Sequence, residues 1–196
     1  MFPSQFLLAT SSVGKAIELR AMLKNQGIDA EIKTYADFGL IAPDETGTTF
    51  HDNAMIKCMA GFKATNLPTL ADDSGLCVPA INNQPGVYSA DWAEDTVGNR
   101  DFTRAMQRID SELGDKDRSA YFTCTLLFHD GITIHEAEGR VTGRLLKANE
   151  AMGDNGHGYD PWFVPDGYDQ SFGVLSSDIK NSLSHRGRAF EKLLKL

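Results

Sequence analysis

Along the first 113 residues, segments with the hydrophobic pattern of a strand alternate with segments that have the pattern of a helix. Short apolar runs such as QFLLA predict buried strands, whereas apolar residues spaced three and four apart predict helices. The first predicted helix ends before Gly27, a residue type that favours helix ends. The predicted elements are strands at 5–9, 29–35 and 68–72 and helices at 13–26, about 49–64 and about 100–113. This order predicts an α/β fold.

The pattern then changes to consecutive strands. Residues 120–146 contain strand-like segments, and Asp130-Gly131 between the first two is a hairpin-turn signal. A last helix follows, which Ser184 is expected to cap. The predicted apolar face of this helix consists of Ala189, Phe190, Leu193 and Leu194. The second half of the chain therefore adds antiparallel strands to the alternating part.

Composition narrows the class of protein. The chain has 196 residues, enough for one core or one core with a smaller lobe, and its formal net charge is −8. The sequence has no basic block, which disfavours a nucleic-acid partner. Three widely spaced cysteines fit a reducing cytoplasm, and we expect neither a signal peptide nor a membrane span.

Two adjacent carboxylates, Asp72 and Asp73, stand at the end of the strand predicted at 68–72. Like charges this close must be solvated, paired or bound to a cation. Because successive side chains of a strand point to opposite faces, the two acids need not share one environment. Asp44 and Glu45 add carboxylates from a loop, where acids commonly only face water. Together these acids predict a Mg²⁺ site that also takes substrate phosphates.

Residues 10–15 (TSSVGK) lie between a predicted strand and a predicted helix. Their hydroxyls, the N–H groups of a helix start and one ammonium suit an anion such as phosphate. Ala9 and Ala16 occupy positions that need Gly and Ser or Thr in a Walker A loop, so that motif is excluded. A capped surface helix without a ligand explains the same residues equally well.

Two later segments carry further candidates. GDNGHGYDPWF (153–163) combines three glycines, which allow close backbone approach to a ligand, with aromatic rings that stack on bases. KNSLSHRGR (180–188) places basic residues and a histidine around a predicted helix start. An ordinary long loop and a solvated helix end are the simpler interpretations of these two segments.

The order of these segments, more than any one of them, resembles the inosine triphosphate pyrophosphatase family. The blocks are LATSSVGKAIEL, DETGTTFHDNAMIK, ADDSGLCVPAINNQPGVYSA, GHGYDPWF and KNSLSHRGRA, and the resemblance covers about residues 6–194. It implies a single domain at 1–196 with an elongated mixed β-sheet flanked by helices, two lobes with a central substrate cleft, and a homodimer. It also implies Mg²⁺-dependent hydrolysis of deaminated purine nucleoside triphosphates (ITP, dITP, XTP) to the monophosphate and pyrophosphate, which cleanses the nucleotide pool.

The resemblance implies a role for each matching position. Asp73 is the implied catalytic base and, with Glu45, a metal ligand. The resemblance implies no role for Asp72, for which strand alternation suggests either a neighbouring support or a weaker acid outside the metal's direct ligands. The implied substrate-binding residues are Thr10, Ser11, Ser12, Val13, Gly14, Lys15, Lys57, Ser74, His157, Gly158, Tyr159, Asp160, Lys180, His185 and Arg186. We expect Arg186 or a backbone N–H to face O6 of hypoxanthine or xanthine, because the amine of adenine would leave that donor unpaired.

The chain departs from the family pattern at two places. Ser11-Ser12 replaces the usual Gly-Asn after Thr10, which alters the phosphate geometry, and His157 replaces the usual Phe before Gly-Tyr-Asp. An imidazole still stacks on a purine but gains charge below about pH 6.5, so base preference or pH dependence is expected to differ. Two other functions stay open, a nucleotide sensor that binds without turnover and a pyrophosphatase of modified pyrimidine triphosphates.

Overall fold

The structure is a computed structural model, and it describes residues 2–196. Within this range strands and helices alternate at first, and two long strands then follow one another. The strands are β1 Gln5–Leu8, β2 Glu31–Thr34, β3 Thr69–Val78, β4 Gln84–Pro85, β5 Ser119–His129, β6 Ile134–Leu145 and β7 Phe163–Pro165. The helices are α1 Val13–Asn25, α2 Phe50–Thr65, α3 Phe102–Leu113, α4 Ser177–Leu183 and α5 His185–Leu193.

The strands form one mixed sheet. Its order is β2-β1-β3-β5-β6-β7, and β4 pairs with β3 outside this path. The strand β1 runs parallel to β2 and β3, whereas β4 and β7 run antiparallel to β3 and β6. Only four residues join β5 to its neighbour β6, a connection that suits antiparallel strands. The predicted α/β fold with a mixed sheet and flanking helices is confirmed.

The chain forms two compact units. The first consists of the chain up to Asp73 with Cys124–Gly139 and Arg186–Leu196, and the second of Ser74–Thr123 and Arg140–His185. The prediction of one domain with two lobes stays a prediction. Among residues 2–196, no helix combines the length and the apolar character that crossing a membrane requires.

The strands of the first unit are buried on both faces. In β1, Phe6 packs in a cluster with α1 and α5, whereas the next residue, Leu7, packs in a cluster with α2. In β3, Leu70 and Ala71 divide in the same way between these clusters. Since side chains alternate along a strand, the next pair, Asp72 and Asp73, continues this division. The fold thus directs two neighbouring acids toward different helices.

The second unit has its own core. Ala105, Met106, Ile109 and Leu113 of α3 are buried there, as the sequence predicts for this helix. They lie in one cluster with Phe122 of β5 and with residues of β6 and β7. This core supports the loop that carries residues 153–163.

Two predictions about the elements are wrong, and one helix was not predicted. The strand β3 extends to Val78, so the acid pair lies inside the strand and not at its end. Propensity disfavours Asp and Gly in strands, but here the ion pairs of both acids offset that preference. The helix α4 was not predicted, although Ser176 caps it through the N–H of Ile179. Leu194 is exposed because α5 ends at Leu193.

Candidate active site

Asp72 and Asp73 bind different cations within the first unit. Lys15 and Arg186 contact Asp72, whereas Lys57 contacts Asp73. Both acids are almost fully buried, with 1% and 4% of their surface exposed. The prediction that the two need not share one environment is confirmed.

Asp72 lies at the centre of an ion-pair network that joins two helices and one strand. Its Oδ2 atom lies 3.0 Å from Nζ of Lys15 in α1 and 3.1 Å from Nη2 of Arg186 in α5. Arg186 also donates a hydrogen bond to Glu18, which lies one turn beyond Lys15 in α1. We call Lys15, Glu18, Asp72 and Arg186 the Asp72 cluster. The cluster ties the start of α1 and the start of α5 to β3.

The charges of the Asp72 cluster hold one another in the ionised state. Burial would raise the pKa of Asp72, but Lys15 and Arg186 outweigh burial and keep this pKa well below its usual range. Burial would likewise lower the pKa of Arg186, but Asp72 and Glu18 raise it above its ordinary value. Asp72 and Arg186 therefore both stay ionised at neutral pH.

The segment before α1 is a capped helix start. The Ser12 side chain accepts a hydrogen bond from the Lys15 N–H at 3.4 Å, and Oγ1 of Thr10 accepts one from the Ser12 N–H at 3.1 Å. The helix cap is thus present, and it does not decide between a site for phosphate and a helix start without a ligand. A hydroxyl that accepts a bond still has its own O–H to donate, and Ser11 and Val13 are exposed. Phosphate contact by this segment, Gly14 included, stays a prediction.

Lys57 lies between two carboxylates on the other face of β3. Its Nζ atom is 3.0 Å from Oδ1 of Asp73 and 2.9 Å from Oε2 of Glu45. Lys57 is buried, whereas Glu45 extends from an exposed loop before α2. Residues that are 28 positions apart in the sequence thus converge on one ammonium. Metal binding by Glu45 and Asp73 stays a prediction.

Asn53 completes this group, and the sequence did not predict it. It lies one turn before Lys57 on the same face of α2, and its Nδ2 atom donates to Oδ2 of Asp73 at 3.4 Å. Its Oδ1 atom accepts the N–H of Gly47 at 2.8 Å, where a Cβ on Gly47 would lie only 2.7 Å from Oδ1. The sequence did contain a signal for Asn53. Asn53 and Lys57 are polar and four residues apart, and the other buried residues of α2 are Ala, Cys and Gly. We call Glu45, Asn53, Lys57 and Asp73 the Asp73 cluster.

Asp73 titrates closer to neutral pH than an ordinary aspartate. Burial raises its pKa to about 6, although Lys57 and Lys15 both act to lower it. Burial would lower the pKa of Lys57, but Asp73, Asp72 and Glu45 together raise it. At neutral pH the cluster thus contains a fixed ammonium and a carboxylate that can gain a proton within about one pH unit.

The Asp73 cluster fits a hard divalent cation. Glu45 and Asp73 both place carboxylate oxygens within 3.0 Å of the Lys57 ammonium, so both lie within reach of one positive charge. Mg²⁺ prefers oxygen ligands and is usually bound by one or two carboxylates together with phosphates and water. These two residues would hold such an ion.

A third group lies in the second unit and contains predicted substrate residues. Nζ of Lys180 in α4 lies 2.6 Å from Oδ2 of Asp160, and the backbone N–H of His157 donates to the same oxygen at 2.6 Å. The His157 ring is partly exposed, with Nδ1 4.0 Å from that oxygen. Gly156 has φ +79° and faces the carboxylate so closely that a Cβ would lie 2.2 Å from it. We call His157, Asp160 and Lys180 the Asp160 cluster.

The other predicted substrate residues of the second unit are packed or lie at its edge. Tyr159 is buried and donates its hydroxyl to the carbonyl of Ser89 at 2.9 Å. The His185 ring is buried and stacks on Phe122 at 4.9 Å between centroids. Ser74 is partly buried in β3 directly after Asp73. Contact of these residues with a substrate stays a prediction.

Fold and site define an α/β protein whose sheet carries a buried centre of acids and lysines. The chain belongs to the Ham1 family, whose sequence model matches residues 6–196. The predicted membership in the inosine triphosphate pyrophosphatase family is thereby confirmed.

Individual relatives agree with this membership along nearly the whole chain. A dITP/XTP pyrophosphatase of Mesorhizobium japonicum is 42% identical, with 96% of this chain and 90% of the relative covered. The structure of a HAM1 protein from Coxiella burnetii has a TM-score of 0.85 at 32% identity and 98% coverage of both chains. A nucleoside-triphosphatase / dITP/XTP pyrophosphatase from Mycobacterium abscessus has a TM-score of 0.74 at 35% identity, with 96% of this chain and 97% of that chain covered.

Proposed function

We propose that this protein hydrolyses the deaminated purine nucleoside triphosphates ITP, dITP and XTP to the monophosphate and pyrophosphate. The name of the Mesorhizobium japonicum relative, at 42% identity, supports this substrate class. The structural observation that carries the proposal is the Asp73 cluster, in which a buried ammonium lies between two carboxylates. The role of such an activity is to cleanse the nucleotide pool of the cytoplasm.

Mg²⁺ is the proposed cofactor, with Glu45 and Asp73 as the residues that would hold it. When bound, this ion neutralises charge on the phosphate oxygens of the substrate. The carboxylate of Asp73 is also the proposed base. A water oxygen forms a bond to one phosphorus of the α,β bridge, the bridging bond breaks, and the water proton passes to Asp73. Pyrophosphate and the nucleoside monophosphate then leave.

Three lysines supply fixed positive charge for the phosphates. Lys57 belongs to the Asp73 cluster, Lys15 stands at the start of α1, and Lys180 belongs to the Asp160 cluster. Each lies within 3.0 Å of a carboxylate oxygen, so each ammonium is held in place before a substrate arrives. Such preorganised charge stabilises the transition state without reorganisation during the reaction. The segment from Thr10 to Lys15 is proposed to add hydroxyl and N–H donors.

Base recognition is proposed for residues 157–160 with His185 and Arg186. Hypoxanthine and xanthine carry an acceptor at O6, where adenine carries an amine. The Asp72 cluster fixes the Arg186 guanidinium in a buried position. An N–H donor that is fixed in this way could not turn away from the amine of adenine. One unpaired buried donor costs about 1 to 3 kcal/mol, and further contacts must add to it for strong selectivity. We also propose a homodimer without a nucleic-acid partner.

A substrate panel tests the proposed activity. The panel contains ITP, XTP, dITP, GTP, ATP and a modified pyrimidine triphosphate, each with Mg²⁺, and both pyrophosphate and orthophosphate are measured. We expect one pyrophosphate for each molecule of ITP, dITP or XTP and much slower turnover of ATP and GTP. Orthophosphate as the first product would contradict the proposal, as would a preference for the pyrimidine. Binding of ITP without any turnover would instead identify a sensor.

Two variants locate this activity within the molecule. Glu45→Gln removes one proposed metal ligand and should raise the Mg²⁺ concentration that gives half-maximal turnover. Glu112→Gln is the matched control, because the Glu112 side chain pairs with Arg108 on α3 and has no proposed role in metal binding. Equal Mg²⁺ dependence of both variants would contradict the metal assignment of Glu45.

A further inference from the structure

A pocket of about 390 Å³ lies in the first unit at the end of α1 opposite to Ser12. Gln26, which ends α1, is part of its wall. The thirteen residues of α1 span about 20 Å, so the pocket is separate from the start of the helix. Its volume lies within the range of about 300 to 1,000 Å³ that is typical of small-molecule sites.

The interior of the pocket is apolar and partly aromatic. It is lined by Phe2, Ile28, Phe128, Leu193 and Leu194. The rings of Phe2 and Phe128 lie 4.6 Å apart at a tilt of 44° and form one aromatic wall. Phe128 and Leu193 are buried in the core, which fixes this wall from behind. An apolar ligand body, in particular an aromatic ring, would replace water on these surfaces.

One edge of the pocket carries the carboxylate of Asp130, which forms a hydrogen bond with His135. Oδ2 of Asp130 lies 3.0 Å from Nε2 of His135, and Oδ1 accepts the N–H groups of Ile132 and Thr133 at 2.8 and 2.7 Å. The Thr133 and Ile132 N–H groups and His135 hold the pKa of Asp130 well below its usual range. A carboxylate offers about four acceptor positions, so these three donors leave room for one more. The pocket therefore has a permanent negative group at the edge of an apolar interior.

We propose that this pocket binds a small amphipathic amine, with its ammonium at Asp130 and its aromatic or aliphatic body against Phe2 and Phe128. A cation is favoured over an anion because Asp130 supplies a full negative charge with acceptor capacity to spare. The matching size is about ten non-hydrogen atoms. This site is independent of the triphosphate site and of the function proposed there.

Three ligands of similar size test the charge preference. Phenethylamine, 2-phenylethanol and phenylacetate share one aromatic body and differ in the charge of the polar end. Binding to the full chain is measured by chemical-shift perturbation in a titration at pH 7 without nucleotide. We expect a Kd of about 1 mM for the amine, weaker binding of the alcohol by about tenfold, and the weakest binding for the carboxylate. Equal affinities, a preference for phenylacetate or no binding of the amine would each overturn the proposal.

Variants place the ligand in this pocket. Asp130→Asn keeps an oxygen that can accept the N–H groups of Ile132 and Thr133 but removes the charge, so the amine should lose its advantage over the alcohol. Asp115→Asn is the matched control, an exposed aspartate of the second unit, and should leave the affinities unchanged. Ile28→Phe fills the interior and should weaken binding of both the amine and the alcohol.

The variants are judged only when their folds are intact. Circular dichroism and amide spectra that match those of the wild-type protein establish an intact fold. If Asp130→Asn unfolds, His135→Gln is used in its place. His135→Gln keeps the carboxylate, so the amine should retain its advantage over the alcohol. An unchanged amine affinity in folded Asp130→Asn and Ile28→Phe would place the ligand elsewhere and overturn the proposal.

Discussion

Asp72 and Asp73 are adjacent, equally buried and chemically identical, but their surroundings give them opposite properties. Asp72 contacts two cations, and its pKa lies far below the usual range. Asp73 contacts one cation, which it shares with Glu45, and its pKa is raised to about 6. The number of nearby positive charges, more than the degree of burial, thus decides which acid stays ionised.

This contrast separates a carboxylate that stays ionised from one that gains a proton near pH 6. The Asp72 cluster joins α1, β3 and α5, and its Asp72 and Arg186 stay ionised at neutral pH. The Asp73 cluster has fewer cations than acids, so an added cation or a proton is favourable there. A deficit of positive charge is expected at a site that binds a metal ion and moves a proton.

The largest expected effect concerns the Asp72 cluster and folding. Asp72→Asn leaves the buried Arg186 and the partly buried Lys15 with less negative charge nearby. Loss of one partner of a buried ion pair typically costs about 3 to 5 kcal/mol. The free energy of unfolding in urea should fall by this amount at pH 7. A loss below about 1 kcal/mol would show that the cluster does not hold the fold together.

The pH dependence of the same stabilisation has a defined sign. The folded pKa of Asp72 lies below its unfolded value of about 3.9, so the stabilisation is fully present above that value. It is lost as the pH falls through the folded pKa. The difference in stability between the wild-type protein and Asp72→Asn should therefore be constant from pH 6 to pH 8.

Lys57→Met tests the shared cation of the Asp73 cluster. The change removes the ammonium that would stabilise charge on the phosphates, and turnover of ITP should fall about 100-fold to 1,000-fold. Initial rates of pyrophosphate release measure this effect. Lys63→Met is the matched control, because Lys63 is exposed near the end of the same helix. A rate within threefold of the control would contradict the role of Lys57.

Binding of Mg²⁺ should depend on pH through Asp73. Its pKa of about 6 in the metal-free protein means that protons compete with the ion below that value. The Kd for Mg²⁺, measured by titration calorimetry without nucleotide, should be constant above pH 7 and rise about tenfold per pH unit well below pH 6. Asp73→Asn should bind weakly at every pH. The same strong pH dependence in Asp73→Asn would assign the titration to another group.

The smallest expected effect is at an exposed pair that contrasts with both clusters. His51 in α2 lies 2.9 Å from Glu136 in β6, and the hydrogen bond to Glu136 raises the pKa of His51. Stability from this pair is present below the unfolded pKa of about 6.5 and is lost as the pH rises through the folded pKa. Because both side chains are well exposed, Glu136→Gln should cost only about 0 to 1 kcal/mol at pH 5.5 in urea unfolding. A larger loss would mean that exposure does not weaken ion pairs in this protein.

Much of the fold was predictable because its strands and helices have strong local patterns. The helix α3 has its apolar residues at helical spacing, and the predicted range of about 100–113 differs from Phe102–Leu113 only at its start. The length of β3 was not predictable in this way, since the sequence DDSG lacks strand propensity. Its strand conformation depends on ion pairs with α1, α2 and α5, which come from distant parts of the chain.

The sequence predicted which residues form the candidate site better than it predicted which of their side chains contact one another. Alternation along a strand is a local rule, and it correctly separated Asp72 from Asp73. The partners of each acid depend on tertiary contacts, so neither Asn53 nor Glu18 was predicted. No local pattern indicates which charge a buried acid will meet 114 residues further along, as Asp72 meets Arg186.

A single-turnover experiment with ITP tests the central claim, that Asp73 takes part in the reaction and Asp72 holds the structure. Wild-type protein, Asp73→Asn and Asp72→Asn are each mixed in excess over ITP with saturating Mg²⁺, at a temperature where all three are folded, and pyrophosphate is followed with time. We predict that Asp73→Asn slows the chemical step by about 100-fold to 10,000-fold, and Asp72→Asn by far less. Wild-type rates in Asp73→Asn, with the large loss found in Asp72→Asn, would contradict the account.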